Sequence, residues 1–146
     1  MLKRVQDDNT NMSTIHLKII TPQKITLEAD VLSVTVPSAE GEITILPHHI
    51  NLFSLLYEGI IKIKPEKYLA IGGGYVETDG DEVNILVSRA YGQDKIDAKA
   101  TERAIEEAKQ ILEKTKNESE RQKAILTLRR SLIDMKLIKR RKRQSP

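Results

Sequence analysis

Cysteine is missing from all 146 residues, and with it go disulfides, thiolate zinc sites and thiol nucleophiles. That composition suits a cytosolic-type compartment. Aromatics are nearly as scarce, with no tryptophan, one phenylalanine and four tyrosines, 3% in all. The core must therefore be aliphatic, and base stacking of the kind used on single-stranded nucleic acid has too few rings to work with. Long hydrophobic runs are lacking too: a spanning helix needs about 20 consecutive apolar residues, and the charges interrupt every stretch well before that. Lys3 and Arg4 are followed by polar residues from Gln6 to Asn11, so no hydrophobic signal-peptide core follows the charges. Residues 1–12 read as a disordered extension.

What is present is a chain with 39% hydrophobic and 31% charged residues, apolar enough to fold and short enough for one domain plus an appendage. Its net charge of +3 is concentrated at Lys136, Lys139, Arg140, Arg141, Lys142 and Arg143. Without them the chain is slightly acidic.

Two periods divide the sequence. From Ile15 to Ser88 apolar residues alternate, as in Ile15, Leu17, Ile19; Leu32, Val34, Val36; Ile61, Ile63; and Val83, Ile85, Val87. Alternation is the signature of half-buried strands. Turn signals separate the runs at Thr21-Pro22, Ser38 to Gly41, Glu58-Gly59, Pro65-Glu66 and Asp79-Gly80. Beyond Gln93 neither glycine nor proline returns until the last residue, and a helical period takes over. Asp97 is placed to cap a helix with a stripe at Thr101, Ile105, Ala108, Leu112 and Thr115. Ser119 and Gln122 have the spacing of a capping box opening a second helix, with a stripe at Ile125, Leu128, Leu132 and Met135. The expected fold class is α+β, an N-terminal all-β sandwich over 13–92 followed by an antiparallel two-helix hairpin over 93–138 and a basic tail over 139–146. A stripe that includes Ala108 and two threonines buries little per turn, so the hairpin should be only marginally stable unless docked, with more than one docking place.

No catalytic constellation is present. Gly72, Gly73 and Gly74 lack the lysine of a phosphate loop and read instead as a close approach of two backbones. His48 and His49 are adjacent, and neighbours on an extended chain point oppositely, which disfavours chelation of one metal. The basic run 139–143 has two readings, a nucleic-acid patch or a solvated helix end complementing the helix dipole. The lack of interleaved aromatics counts against the first.

The segment from Val34 to His49, VTVPSAEGEITILPHH, resembles the amino-terminal signature of the epsilon subunit of the bacterial rotary ATP synthase. Leu69 to Glu77 (LAIGGGYVE) resembles that family's glycine-pair strand, Val83 to Val87 the strand that ends its sandwich, and Ile96-Asp97 the opening of its helical hairpin. The resemblance spans about residues 13–138. It implies a non-catalytic central-stalk rotor subunit, peripheral to the cell membrane on its cytoplasmic side and needing no cofactor. The sandwich would bind the gamma subunit and rest on the c ring, coupling proton- or sodium-driven rotation to the catalytic head. The hairpin would inhibit ATP hydrolysis, reaching the beta subunit when extended; nucleic acid is not among the implied partners.

Carried over by position, Glu42 matches a turn acid facing the c ring and His49 a residue facing gamma. On the hairpin the implied regulatory residues are Asp97, Arg130, Lys136, Lys139, Arg140, Arg141, Lys142 and Arg143, the cations suiting an acidic segment of beta. Some members of the family bind ATP on the folded-down hairpin through an Ile/Leu-Asp-x-x-Arg-Ala motif. This chain keeps Ile96 and Asp97, but Ala100 and Thr101 replace the arginine and alanine, Tyr91 stands for an upstream glutamate, and Asp134 replaces one of two arginines of which Arg130 matches the other. No ATP binding is expected below millimolar concentration, with Asp97 left as a helix cap.

Overall fold

The computed structural model describes residues 13–48 and 51–144, with side chains as far as Arg140. Ten strands come first: β1 (Ile15–Ile20), β2 (Ile25–Val31), β3 (Ser33–Ser38), β4 (Gly41–Ile45), β5 (Leu52–Leu56), β6 (Gly59–Lys64), β7 (Lys67–Ile71), β8 (Gly74–Thr78), β9 (Glu82–Val87) and β10 (Ala90–Tyr91). A 3-10 turn at Gln93–Lys95 leads into α1 (Ala98–Lys114) and α2 (Glu118–Gln144). This is the α+β order that the change of period predicts.

The strands follow one hydrogen-bonded path, β10-β7-β6-β3-β5-β8-β9-β1-β2, with β4 paired to β3. β3 and β5 share only the pair Ser38↔Leu56, so the path folds there into two layers, β10-β7-β6-β3-β4 and β5-β8-β9-β1-β2. Inward residues of both layers meet in one aliphatic core, including Leu17, Ile19, Val34, Val36, Ile61, Val76 and Ile85. Alternation puts them there, since every second side chain of a strand faces the same side. β1 lies parallel to β9, pairing Leu17 with Val83 and Ile19 with Ile85, which ties the start of the described chain to the end of the sandwich.

The glycine cluster is where the chain crosses from one layer to the other. A Cβ on Gly74 would stand 1.9 Å from the Leu86 carbonyl oxygen, so only glycine lets these two backbones approach, whereas one on Gly72 would meet the Ser88 and Arg89 side chains. The space is filled from within the chain. At the β8–β9 turn, the Asp79 carboxylate accepts hydrogen bonds from the amides of Asp81 and Glu82, each 3.0 Å, which hold its carboxyl below the usual aspartate range. The histidine pair departs from expectation, because His48 is left-handed (φ 65°) rather than extended; His49 lies outside the described residues, as do residues 1–12.

In the helical half Asp97 caps α1, its carboxylate accepting from the Ala100 amide at 3.0 Å. The second cap lies two residues earlier than expected. Asn117, not Ser119, accepts from the amide three residues on, Glu120, at 3.0 Å, while Gln122 donates to Glu118. The reason is local: the Thr115 hydroxyl accepts from the Asn117 amide at 3.2 Å and sets Asn117 at the cap. Thr101 and Ala108 of α1 are buried, as are Ala124 and Ser131 of α2. The stripe expected on α2 is corrected at Leu132, which is 49% exposed, because small residues bring the helices together and the larger ones are left to other faces. The basic segment is helical, since α2 continues to Gln144.

Candidate functional site

The two layers of the sandwich present two outer faces, and both carry apolar residues. On the layer β5-β8-β9-β1 direct pairing aligns Leu55 with Tyr75, Tyr75 with Leu86, and Leu86 with Ile20. Directly paired residues share a face, and the neighbours Leu56, Val76, Ile85 and Ile19 are buried in the core, so this row points outward across four strands. Phe53 and Tyr57 extend it along β5; they are 62% and 61% exposed, and Leu55 is 59% exposed. The Phe53 and Tyr75 rings stack with centroids 5.1 Å apart. Further along, the same face turns polar: the His16 ring contacts the carboxylates of Glu28 and Asp30 at 2.8 Å each. Those acids raise the histidine above its ordinary value, and His16 in turn lowers Glu28.

Reading the sequence alone missed this row. Residues Leu52 to Tyr57 are apolar at both parities apart from Ser54, and the signal lay in that breach of alternation. A single strand cannot show which parity faces the core. Here Ser54 and Leu56 face in and the larger Phe53, Leu55 and Tyr57 face out.

The opposite outer face is covered by the second half of α2. Leu137 is fully buried with Ile60 and Ala70, and Tyr68, Tyr91, Ile96 and Ile133 pack around them. Polar links surround that small contact. The half-buried Tyr91 hydroxyl donates to the Asp134 carboxylate, and Gln93 Nε2 donates to the Leu137 carbonyl at 3.1 Å. The Arg130 guanidinium lies 5.9 Å from the Tyr91 ring centroid and that of Arg140 4.9 Å from the Tyr68 ring. Arg140 is thus folded onto the sandwich rather than part of a solvated tail. Burial and the Asp134 carboxylate push the Tyr91 phenol above its usual value.

The sequence-identified residues fall in separate places. Glu42 is the second residue of β4, beside the Ala39-Glu40 turn and exposed, with its carboxylate 3.1 Å from Lys62 Nζ. Lys62 shares its side of β6 with Ile60, while Ile61, Ile63 and Ile43 turn to the core, so Glu42 lies on the outer side of the layer that α2 covers, at its β4 edge. Arg130, Asp134 and Asp97 line a shallow groove of about 320 Å³ between α1 and α2, with Lys95, Thr101 and Ser131. Lys136 and Lys139 are exposed on α2; the side chains of Arg141, Lys142 and Arg143 lie outside the described residues. In that groove Lys95 and Arg130 accompany the two acids, Ala100 stands where the resemblance's nucleotide motif has arginine, and Arg130 lies over the Tyr91 ring. Among the described residues no group of three or more His, Cys, Asp or Glu side chains is placed to hold a metal.

A family model described as the β-sandwich domain of the ATP synthase delta/epsilon chain matches residues 14–93. The chain is 36% identical over 124 residues to the ATP synthase epsilon chain of Halalkalibacterium halodurans, covering 82% of this chain and 93% of that one. To the ATP synthase epsilon chain of Moorella thermoacetica it is 30% identical over 129 residues, covering 86% and 96%. In three dimensions it resembles a chain of the Euglena gracilis mitochondrial ATP synthase, with a TM-score of 0.65 at 20% identity over 92% of this chain and 83% of that one. The last likeness concerns the fold alone.

Proposed function

The chain belongs to the ATP synthase epsilon-chain family, and from that premise we propose that its bare sheet face grips gamma while its hairpin restrains ATP hydrolysis. Membership makes it a structural and regulatory subunit of ATP synthase rather than a catalytic one. The observation that carries the proposal is the outward row Leu55, Tyr75, Leu86 and Ile20, flanked by Phe53 and Tyr57. Monomeric proteins seldom expose a continuous apolar band of that kind unless it serves an interface. Aromatic anchors in the middle of such a band supply most of the binding energy when a partner excludes water from them.

The Ala39-Glu40 turn, whose Ala39 amide donates to the Leu55 carbonyl, lies at the end of that band and leads into Glu42, which suits the pair to the polar loops of the c ring. Lys62 already pairs with Glu42 and is the cation that a ring loop would have to replace. His49 remains the matching residue towards gamma by position. No described helix is long and apolar enough to cross a membrane, and attachment through the rotor makes the chain peripheral, on the cytoplasmic side. The working units are the sandwich, 13–92, and the hairpin from 93 onward. The latter touches the sandwich through few residues and offers Lys136, Lys139 and the cations that follow to an acidic segment of beta once it extends.

The test is assembly. Phe53→Ser combined with Leu55→Ser, both at exposed positions, should abolish co-purification with the rotor while leaving stability within about 0.5 kcal/mol, as expected of surface positions. Normal assembly of the folded double variant removes gamma from this face.

A further inference from the structure

The hairpin is attached to the sandwich at one end only. Its described polar links to the strands and to the 3-10 turn run from Tyr91, Gln93 and Tyr68 to the stretch of α2 between Arg130 and Arg140. The apolar part of the contact is small, centred on Leu137 against Ile60 and Ala70. Tyr68, Tyr91, Ile96 and Ile133 around it are only partly buried, so the polar links weigh heavily in whether the hairpin stays down. They also lie where leverage is greatest, because Tyr91 ends β10 and Gln93 opens the turn that joins the sandwich to α1.

The chemistry of the central link is self-contained. A phenol is neutral at physiological pH and donates one hydrogen bond; a carboxylate accepts it strongly. Arg130 is one helical turn before Asp134, on the same face, and lies over the Tyr91 ring. Donor and acceptor both belong to the chain. Nothing is left for a phosphate to complete, and Asp134 would repel one.

We propose that the Tyr91–Asp134 clasp, rather than a bound nucleotide, sets the balance between docked and released hairpin in this subunit. The inference rests on the reading that the hairpin exchanges between two positions. Tyr91 closes the clasp from the sandwich side and Asp134 from the helix side, with Arg130 lying over the Tyr91 ring. Nucleotide level then has no hold on the hairpin through this groove; its release is governed by competition between the clasp and whatever surface the extended hairpin meets.

The absence of cysteine permits a direct test on the full chain. Glu66→Cys on the β6–β7 turn and Glu113→Cys on α1, both exposed positions, carry a fluorescent donor and acceptor, and single-molecule transfer reads the ratio of released to docked hairpins. Tyr91→Phe should raise that ratio about tenfold, the equivalent of one charge-assisted hydrogen bond. Asp134→Ala should do so by a similar factor, and the two together little more than either alone, since one bond is lost in each case. Lys24→Gln, exposed on the β1–β2 turn of the other layer, leaves the ratio unchanged, and so does 1 mM ATP added to the parent. A silent Tyr91→Phe beside a released Leu137→Asp overturns the clasp alone, and an ATP-dependent shift in the parent overturns its independence of nucleotide. Should Leu137→Asp stay docked as well, the exchange itself fails, and with it the hairpin half of the proposed function.

Discussion

The two outer faces of the sandwich are built from strands of the same kind and reach opposite ends. On one, Ala70 and Ile60 leave a shallow surface that α2 approaches closely enough to bury Leu137 completely. On the other, Phe53, Leu55 and Tyr57 stand out in a row that remains exposed. The contrast teaches how reversible and lasting contacts are made from one fold. A contact that must open is small and relies on a few hydrogen bonds that water can replace. A contact meant to last presents large side chains, whose burial is lost only when the partner leaves. On the proposed function, the covered face belongs to a part that moves and the bare face to a fixed attachment.

The sharpest way to break this comparison is to weaken the layer beneath both faces and the contact on one of them. Leu17→Ala removes a fully buried core side chain and should cost about 2–5 kcal/mol of global stability. Leu137→Ala deletes a side chain that is equally buried, yet it should leave the sandwich transition in place and release the hairpin only. Hydrogen exchange separates the two outcomes: loss of protection in α1 and α2 with β1, β8 and β9 still protected. If both variants melt as one unit, the division between fixed and moving parts is wrong.

A smaller effect is expected at the hairpin's entry. Asp97→Ala leaves the Ala100 amide without its cap and should cost about 0.5–2 kcal/mol, visible as fraying of the first turn of α1 in amide exchange, while the strands are unaffected. Weakening of the strands by the same substitution would mean that the helices support the sandwich, contrary to the asymmetry described.

The smallest effect is confined to the polar half of the bare face. His16 is raised above its usual 6.5 by Asp30 and Glu28, so its contribution is fully present below pH 6.5 and is lost as pH rises through its higher folded value. Glu28 is lowered from 4.5 by His16, and its contribution is present above that pH and lost as the medium becomes more acid. The pairing therefore works best between about pH 4.5 and 6.5. Melting temperature followed from pH 5.5 to 8.5 should fall more in the parent than in His16→Gln. Parallel curves would show that these exposed groups do not contribute.

Much of this was legible because periodicity is a local property. The alternation at Ile15–Ile19 and Val83–Val87 identifies strands whichever neighbours they find, and Asp97 caps a helix through an amide only three residues away. Even the role of Gly74 could be stated in advance, since a residue without Cβ marks a close approach. What could not be read depended on a neighbour distant in the chain. Leu52 to Tyr57 has apolar residues at both parities, and only pairing with β8 decides that Leu56 faces in and Leu55 out. The second helix was assigned one stripe, yet it answers to two partners, α1 along its first half and the sheet along its second. Asp134 read from sequence as a charge that spoils an ATP site; in the fold it meets Tyr91, 43 positions away.

By itself the sequence determined the two periods, the aliphatic core, the caps and turns, and the family, all of which depend on residues near one another in the chain or on their order. The tertiary structure decided which outer face stays bare, which is covered, and which polar side chain closes the gap between them. The physical reason is that burial and charge pairing are settled by distances across the fold. Those distances become defined only once ten strands have chosen their neighbours and a helix has come to rest on one of the two layers.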